Sequence, residues 1–251
     1  MSLNLDRTLY REVIEKSLLL KTRNAIEVDL GFSEEDLEIL CAIRVERNLD
    51  QFSAFGLPRA HLRSDLERYL RHMGDNRSSH TWYLADLVSR LSYGVQEGLS
   101  KDSAWVLLRV SLPTPEFDIP RWHSDGSYYT SSAPVLKFVT TLKGDFTLFG
   151  EVRDSERFKA LQDEEMRAWS YYQSDRPAFD REMMRIRREL AGIVDRQDIG
   201  DVGKGVLYRV GDSAAAFHSE PPIRFPRIFH SVLPGSRAQI EEWRVRGSTR
   251  E

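Results

Sequence analysis

The sequence predicts an α+β fold in which helices cover a barrel or sandwich of short β-strands. Residues 1–100 are mainly helical in pattern, because apolar side chains recur at helical spacing. From about residue 101 the pattern changes to short β-type runs separated by turn signals, and a second helical stretch interrupts them at about 152–201. We therefore expect an N-terminal helical region packed on a core formed by 101–251, with a helical insertion in that core.

The N-terminal region contains three predicted helices. The first starts at Ser33, a cap residue that is followed three places later by Asp36. The second runs over His61–Met73 and the third over about Ser79–Leu99, each with apolar residues on one side. Cys41 lies near the end of the first helix, where we expect a buried core thiol.

The core region contains runs typical of β-strands, and its insertion contains helical stripes. The clearest stripe, from Phe179 to Ile193, has Pro177 close to its first turn. The strand-like runs cover residues 104–110, 119–126, 135–142, 146–149, 205–212 and 228–235, with a last one across 237–245.

Composition excludes several classes of protein. Of the 251 residues 41% are hydrophobic and 30% charged, which is typical of a globular protein with a sizeable core. A net charge of −3 argues against a general nucleic-acid-binding surface. The single cysteine rules out a disulfide framework or a cysteine-based zinc site within one chain. The chain has neither an apolar run long enough to span a membrane nor a secretory leader pattern, so we expect a cytoplasmic protein.

A pair of residues near the end of the strand-like run 119–126 has side chains that can bind a metal ion. His123 and Asp125 are at positions i and i+2, and in extended backbone such side chains point to the same face. His230 lies in another strand much later in the chain. Two histidines and one carboxylate that leave other coordination positions open are the donor set of non-haem Fe(II) oxygenases.

These residues lie within a series of motifs that resembles the Fe(II)/2-oxoglutarate-dependent dioxygenase superfamily. The first metal motif of that family is similar to residues 121–125, and residues 143–149 look like its Gly-x-x-Thr-x-Phe segment. Residues 210–217 look like the Gly-Asp-x-x-x-Phe segment, and residues 230–235 resemble the distal His-x-Val-x-Pro-Gly motif. The motifs occur in the family's order, and the resemblance extends over residues 105–149 and 205–246, roughly a third of the chain.

The resemblance implies a fold, an activity and a set of ligands. The fold would be a double-stranded β-helix, the jelly-roll or cupin-like core, and the activity that of a dioxygenase, an oxidoreductase. His123, Asp125 and His230 would bind Fe(II), with His218 as a rival for the second histidine. The enzyme would use 2-oxoglutarate and O2 to hydroxylate an unknown small-molecule or peptide substrate, with succinate and CO2 as co-products.

The cosubstrate needs a cation to bind its distal carboxylate. The resemblance implies either an arginine on the strand after the distal histidine or a lysine on the strand after the first metal motif. Arg237, seven residues after His230, and Lys137, fourteen residues after His123, are the two candidates. Lys137 stands in an otherwise apolar run, so it also requires an anionic partner if it is buried.

Residues near the expected metal are candidates for binding the substrate. They are Tyr128 and Tyr129 in the loop after Asp125, Trp122 beside the first ligand, and His218.

Two alternatives to a 2-oxoglutarate oxygenase remain open. One is a cupin-like metal enzyme that does not use 2-oxoglutarate, and the other is a non-catalytic jelly-roll binding module. The chain has no Gly-x-Ser-x-Gly elbow and no complete nucleotide-binding glycine loop, which argues against a serine hydrolase and against nucleotide binding by those routes.

Overall fold

The protein consists of antiparallel β-strands covered by α-helices. The computed structural model describes residues 3–126, 135–172, 174–211 and 214–248. The helices in this part of the chain are α1 (Leu3–Leu19), α2 (Glu34–Ala42), α3 (Arg59–Leu70), α4 (Ser78–Gly98), α5 (Ser155–Ala168), α6 (Arg176–Ile193) and α7 (Arg237–Ser248). The strands are β1 (Ala25–Asp29), β2 (Phe52–Phe55), β3 (Ser103–Ser111), β4 (His123–Ser124), β5 (Val135–Lys143), β6 (Leu148–Val152), β7 (Val194–Gln197), β8 (Lys204–Val210), β9 (Phe217–Ser219) and β10 (Arg227–Gly235).

The strands form two sheets. The larger sheet has the order β1-β8-β5-β10-β3-β2 and the smaller one the order β4-β9-β6-β7. Between β3 and β10 the chain passes back and forth between the sheets, and every pairing is antiparallel. This topology is that of a double-stranded β-helix, and it confirms the predicted fold class.

The N-terminal region contributes strands as well as helices. The edge strands β1 and β2 extend the larger sheet by pairing with β8 and β3. Ser33 caps α2 as predicted, because its hydroxyl accepts from the Asp36 N–H while the Asp36 carboxylate accepts from the Ser33 N–H. Helix α4 packs on β10 and β3, so the outer face of the larger sheet is covered by a helical core.

The inserted helices α5 and α6 lie in the chain between β6 and β7. Each begins at an aspartate that caps it, Asp154 for α5 and Asp175 for α6. Their apolar faces pack against the smaller sheet in a cluster that includes Phe158, Leu161 and Trp122. The insertion therefore supports the outside of the sheet that carries β4 and β9.

Two local predictions are wrong. Residues 237–245 were expected to form a strand but belong to α7. The signal is a Ser-x-x-Gln capping box, in which the Gln239 N–H donates to the Ser236 hydroxyl and the Ser236 N–H donates to the Gln239 side chain. Cys41 is exposed and not in the core, because Leu40 is the buried residue of the short helix α2.

Among the described residues, no helix is both long and apolar enough to cross a membrane.

Gly205 on β8 packs closely against the helical core outside the larger sheet, so we expect even a small side chain at this position to lower stability. A Cβ at Gly205 would lie 2.4 Å from the ring of Phe138, which is fully buried. We expect Gly205→Ala to lower the free energy of unfolding by about 1–3 kcal/mol, because the packed ring cannot retreat without strain. Urea denaturation measures this change.

The matched control is Gly192→Ala in α6, where a Cβ meets no atom within 4 Å. It should leave stability unchanged or raise it by up to about 1 kcal/mol, since alanine is the better helix former. Equal stability of the two variants would contradict the packing described for β8.

Candidate metal centre

The structure brings together His123, Asp125 and His218. One ligand atom from each residue lies within 4.8 Å of the others. His123 is directly opposite His218 in the antiparallel pairing of β4 with β9, and the two ring centroids are 4.4 Å apart. Asp125 lies two residues after His123, and its carboxylate is on the same side as the imidazole of His123, as predicted for extended backbone.

The two imidazole rings are oriented by backbone carbonyls. Nδ1 of His123 is 2.8 Å from the carbonyl oxygen of Arg121, and Nδ1 of His218 is 3.3 Å from that of Ala216. When Nδ1–H donates to a carbonyl, the lone pair for a metal is on Nε2. Nε2 of His218 indeed faces the carboxylate, at 3.7 Å from Asp125 Oδ2.

Asp125 is held ionised in a largely buried position. The Lys137 ammonium donates to its Oδ2 at 2.8 Å and the Tyr208 hydroxyl donates to the same oxygen at 2.9 Å. Burial raises the pKa of Asp125, but the charge and hydrogen bond of Lys137 and the charges of His218 and His123 together outweigh burial and hold that pKa well below its usual range.

His218 is neutral at physiological pH. Burial, together with the neighbouring charge of His123, lowers the pKa of His218 to about 4. A neutral imidazole on His218 and an ionised carboxylate on Asp125 can both donate to a divalent transition metal. The residues present therefore fit a metal ion.

His230 does not belong to this group, which corrects the sequence-based ligand set. Alternate residues of β10 point to opposite faces of the larger sheet. Phe229 and Ser231 line the cavity between the sheets, whereas Ile228 and Val232 lie in the helical core outside. His230 alternates with Phe229 and Ser231, so it lies on the same face as Ile228 and Val232 and faces α4.

The surroundings of His230 are those of a packed, neutral side chain. It is fully buried, and its Nε2 is 3.0 Å from the Ser92 hydroxyl, which donates its own proton to the Val88 carbonyl. Nε2 must then be the donor, while Nδ1 has no hydrogen-bond partner in the described part of the chain. Burial lowers the pKa of His230 to about 3.

The three clustered residues line a cavity of about 230 Å³ between the two sheets. Trp105, Leu107, Val139 and Phe229 form its apolar walls. Its charged lining residues are the cations Arg109, Arg121, Lys137 and Arg227 and the carboxylates Asp125 and Glu220. Positive charge thus exceeds negative charge in the described lining.

Arg227 is the cation most suited to binding an anion inside this cavity. Its side chain is buried, donates to the Asp145 carbonyl at 2.9 Å and to the Thr147 hydroxyl at 3.0 Å, and lies over the Phe229 ring. These two acceptors are neutral, and the carboxylates of Glu220 and Asp145 favour the charge through space. Burial lowers the pKa of Arg227 to about 10, which still leaves it charged at neutral pH.

The two cations expected from sequence occupy different positions. Lys137 lines the cavity, and its anionic partner is Asp125. Arg237 is exposed at the start of α7 and is not a lining residue of the cavity, so it is not placed to bind a cosubstrate there. Sequence reasoning missed Arg227 because spacing was counted from His230. Counted from His218, Arg227 is nine residues on, in the next strand.

Arg121 and Glu220, each two residues from one of the paired histidines, form an ion pair that sequence reasoning did not find. Arg121 Nη2 is 3.3 Å from Glu220 Oε1, and Arg109 Nη1 is 3.7 Å from the same oxygen. Burial raises the pKa of Glu220, but the charges of Arg121, His123 and Arg109 lower it further than burial raises it.

The remaining substrate-binding candidates do not line the cavity or cannot be placed. Trp122 is buried against the inserted helices, because its side chain points to the face opposite that of His123. It supports the site from outside. Tyr128 and Tyr129 lie outside the described residues.

Comparison with known proteins gives structural likeness without sequence likeness. No protein-family model matches the chain, and no curated protein is significantly similar in sequence. A prolyl-4-hydroxylase of Pseudomonas putida is similar in structure, with a TM-score of 0.39, 10% identity and coverage of 90% of this chain and 98% of that one.

Two further structures show the same degree of likeness. A prolyl hydroxylase of Trichoplax adhaerens, solved with a hypoxia inducible factor peptide fragment, has a TM-score of 0.39, 9% identity and coverage of 94% and 93%. A non-heme alpha ketoglutarate dependent carbocyclase from nogalamycin biosynthesis has a TM-score of 0.37, 12% identity and coverage of 93% and 83%.

The burial of His230 predicts a specific pH dependence. Its pKa is lower in the folded chain than in the unfolded chain, so between about pH 6.5 and pH 3 the unfolded chain binds one proton more. This group therefore costs the folded state up to about 1.4 kcal/mol per unit as pH falls through that window. His230→Leu should remove this dependence, so the stability of the wild type relative to the variant should fall by up to that amount for each pH unit from pH 6.5 to pH 4.5.

Urea denaturation of both proteins at several pH values, with chelator present, measures the difference, and the contribution of His218 cancels because both proteins contain it. His61→Leu, at an exposed position in α3, is the matched control and should show no such trend. A constant difference between wild type and His230→Leu would show that His230 is accessible to protons.

Proposed function

We propose that this chain is a non-haem Fe(II)/2-oxoglutarate-dependent oxygenase that hydroxylates a small substrate. The observation that carries the proposal is a cavity with two imidazoles and one carboxylate within 4.8 Å, and with a buried arginine whose charge has no counter-ion among its hydrogen-bond partners. The donor set suits Fe(II) and leaves coordination positions open. The arginine suits a second carboxylate at a distance from the metal.

His123, Asp125 and His218 would hold the iron. Bound Fe(II) would supply the activation of O2 that couples decarboxylation of 2-oxoglutarate, to succinate and CO2, with insertion of an oxygen atom into a substrate C–H bond. The residues around it have simpler tasks. The carbonyls of Arg121 and Ala216 fix the two rings, and Lys137 and Tyr208 fix the carboxylate.

Arg227 would bind the distal carboxylate of 2-oxoglutarate. A guanidinium that is already oriented by Asp145 and Thr147 loses little freedom on binding an anion. The apolar walls exclude water, which strengthens each charge interaction inside the cavity. A buried arginine of this kind favours a cosubstrate-dependent enzyme over a cupin-like enzyme without one, and over a structural metal site.

The ligand set can be tested without turnover. Anaerobic addition of Fe(II) and 2-oxoglutarate to the wild type should produce a weak visible charge-transfer band that requires both additions. His123→Ala and His218→Ala should each lose the band, because two protein ligands hold the metal too weakly. His230→Leu should retain it, since that side chain faces the helical core.

The same titration separates the alternatives. Iron binding without a response to 2-oxoglutarate would favour the cupin-like enzyme, and absence of iron binding would leave a non-catalytic module. Loss of the band in His230→Leu, with retention in His218→Ala, would restore the ligand set expected from the sequence.

Arg227 provides a separate prediction. Arg227→Met should weaken 2-oxoglutarate binding about a hundredfold, because the desolvated carboxylate loses its counter-charge. The apparent dissociation constant is read from the dependence of the charge-transfer band on 2-oxoglutarate concentration. Arg237→Met, on the exposed start of α7, is the control and should bind 2-oxoglutarate like the wild type. Equal affinity of both variants would contradict the assignment of Arg227.

A further inference from the structure

The ion pair of Arg121 and Glu220 lies next to the metal ligands on the same two strands. Arg121 precedes His123 by two residues and Glu220 follows His218 by two, so both continue the register in which His123 faces His218. Side chains two residues apart on a strand share a face and are separated by about 7 Å. The pair therefore faces the same cavity as the histidines, one step away along the strands.

This ion pair is not satisfied by its own partners. Arg109 and Arg121 both approach Oε1 of Glu220, at 3.7 and 3.3 Å. Charge-assisted hydrogen bonds are normally about 2.7–2.9 Å long, so both contacts are loose. Among the described residues, neither the buried Oε2 of Glu220 nor the buried Nε of Arg121 has a hydrogen-bond partner. One acceptor and one donor, each on a charged group, are thus left open.

Such a pair requires a ligand of matching polarity. An ammonium group would donate to Glu220 Oε2, and a carboxylate would accept from Arg121. Two arginines against one glutamate leave an excess positive charge, which a carboxylate neutralises and a neutral peptide group does not. The guanidinium side chains of Arg109 and Arg121 are 45% and 44% exposed, whereas that of Glu220 is 15% exposed, so a ligand has access from the arginine side.

We infer that the substrate of this site is a free α-amino acid, or a small molecule with the same head group, whose carboxylate binds Arg121 and whose ammonium binds Glu220. The inference rests on the proposed oxygenase function, because it names the substrate class of that site. Since the head group is held about 7 Å from the histidine pair along the strands, the oxidised position is a side-chain carbon and not the α carbon.

Binding measurements test this inference on the intact protein. Wild-type protein is loaded anaerobically with Mn(II) and 2-oxoglutarate, and the free L-amino acids are titrated one at a time by calorimetry. We expect at least one to bind. Its N-acetyl derivative and its C-terminal amide should each bind about tenfold to a hundredfold more weakly, because each lacks one charge of the head group.

Variants assign each charge to its partner. Glu220→Gln should weaken binding of the free amino acid about tenfold or more while hardly changing the affinity for the N-acetyl derivative, which has no ammonium to lose. Arg121→Met should weaken binding of both, because both have the carboxylate. Glu241→Gln, which removes an exposed partner of Arg244 on α7, is the matched control and should bind like the wild type.

The outcomes separate this inference from the proposed function. If Mn(II) and 2-oxoglutarate bind but no free amino acid does, or if capped derivatives bind as tightly as free ones, the amino-acid assignment is wrong and the oxygenase proposal stands. Tighter binding of a peptide than of any free amino acid also overturns the assignment. If neither Mn(II) nor 2-oxoglutarate binds, both proposals fail.

Discussion

The candidate site depends on the pairing of two very short strands. β4 has two residues and β9 three, yet their register places His123 opposite His218. A slip of one residue would turn one imidazole to the other face of the sheet. The register is secured from both sides, because β9 also pairs with β6 and the Gly211 N–H donates to the Asp125 carbonyl. The surrounding sheet therefore provides the precision that such short strands could not provide alone.

Alternation along the strands separates chemistry from packing in the larger sheet. On β10 the residues with the parity of Arg227 face the cavity, whereas those with the parity of His230 face α4. The inner face can then carry charge that a metal and anions compensate. At His230 the outer face is packed against α4, and a deprotonated imidazole hydrogen-bonded to Ser92 suits that buried position.

The sequence was sufficient to predict the features that depend on local residue patterns. The change of hydrophobic period separated helices from strands, and the i, i+2 spacing placed His123 and Asp125 on one face. It was not sufficient to choose between His218 and His230, because that choice depends on which face of which sheet each strand presents. His230 lies in the stronger motif. Its position on β10 shows that it faces away from Arg227, but which of these faces borders the cavity is known only once the neighbours of β10 are known. Edge strands β1 and β2 escaped prediction for a similar reason, since their pairing partners β8 and β3 are far away in the chain.

The position of the Arg121–Glu220 pair has a consequence for specificity. The candidate metal ligands and this ion pair lie on β4, on β9 or within two residues of their ends. A distance fixed by a strand ladder varies less than one fixed by a loop, since the ladder's hydrogen bonds constrain both ends. Under the proposed function, recognition of the head group and choice of the oxidised carbon would therefore be coupled: a substrate lengthened by one methylene group between the two would present a different carbon to the metal. Change of substrate by evolution would then require moving the ion pair to another position on these strands, because exchanging side chains in the surrounding loops would leave the distance intact.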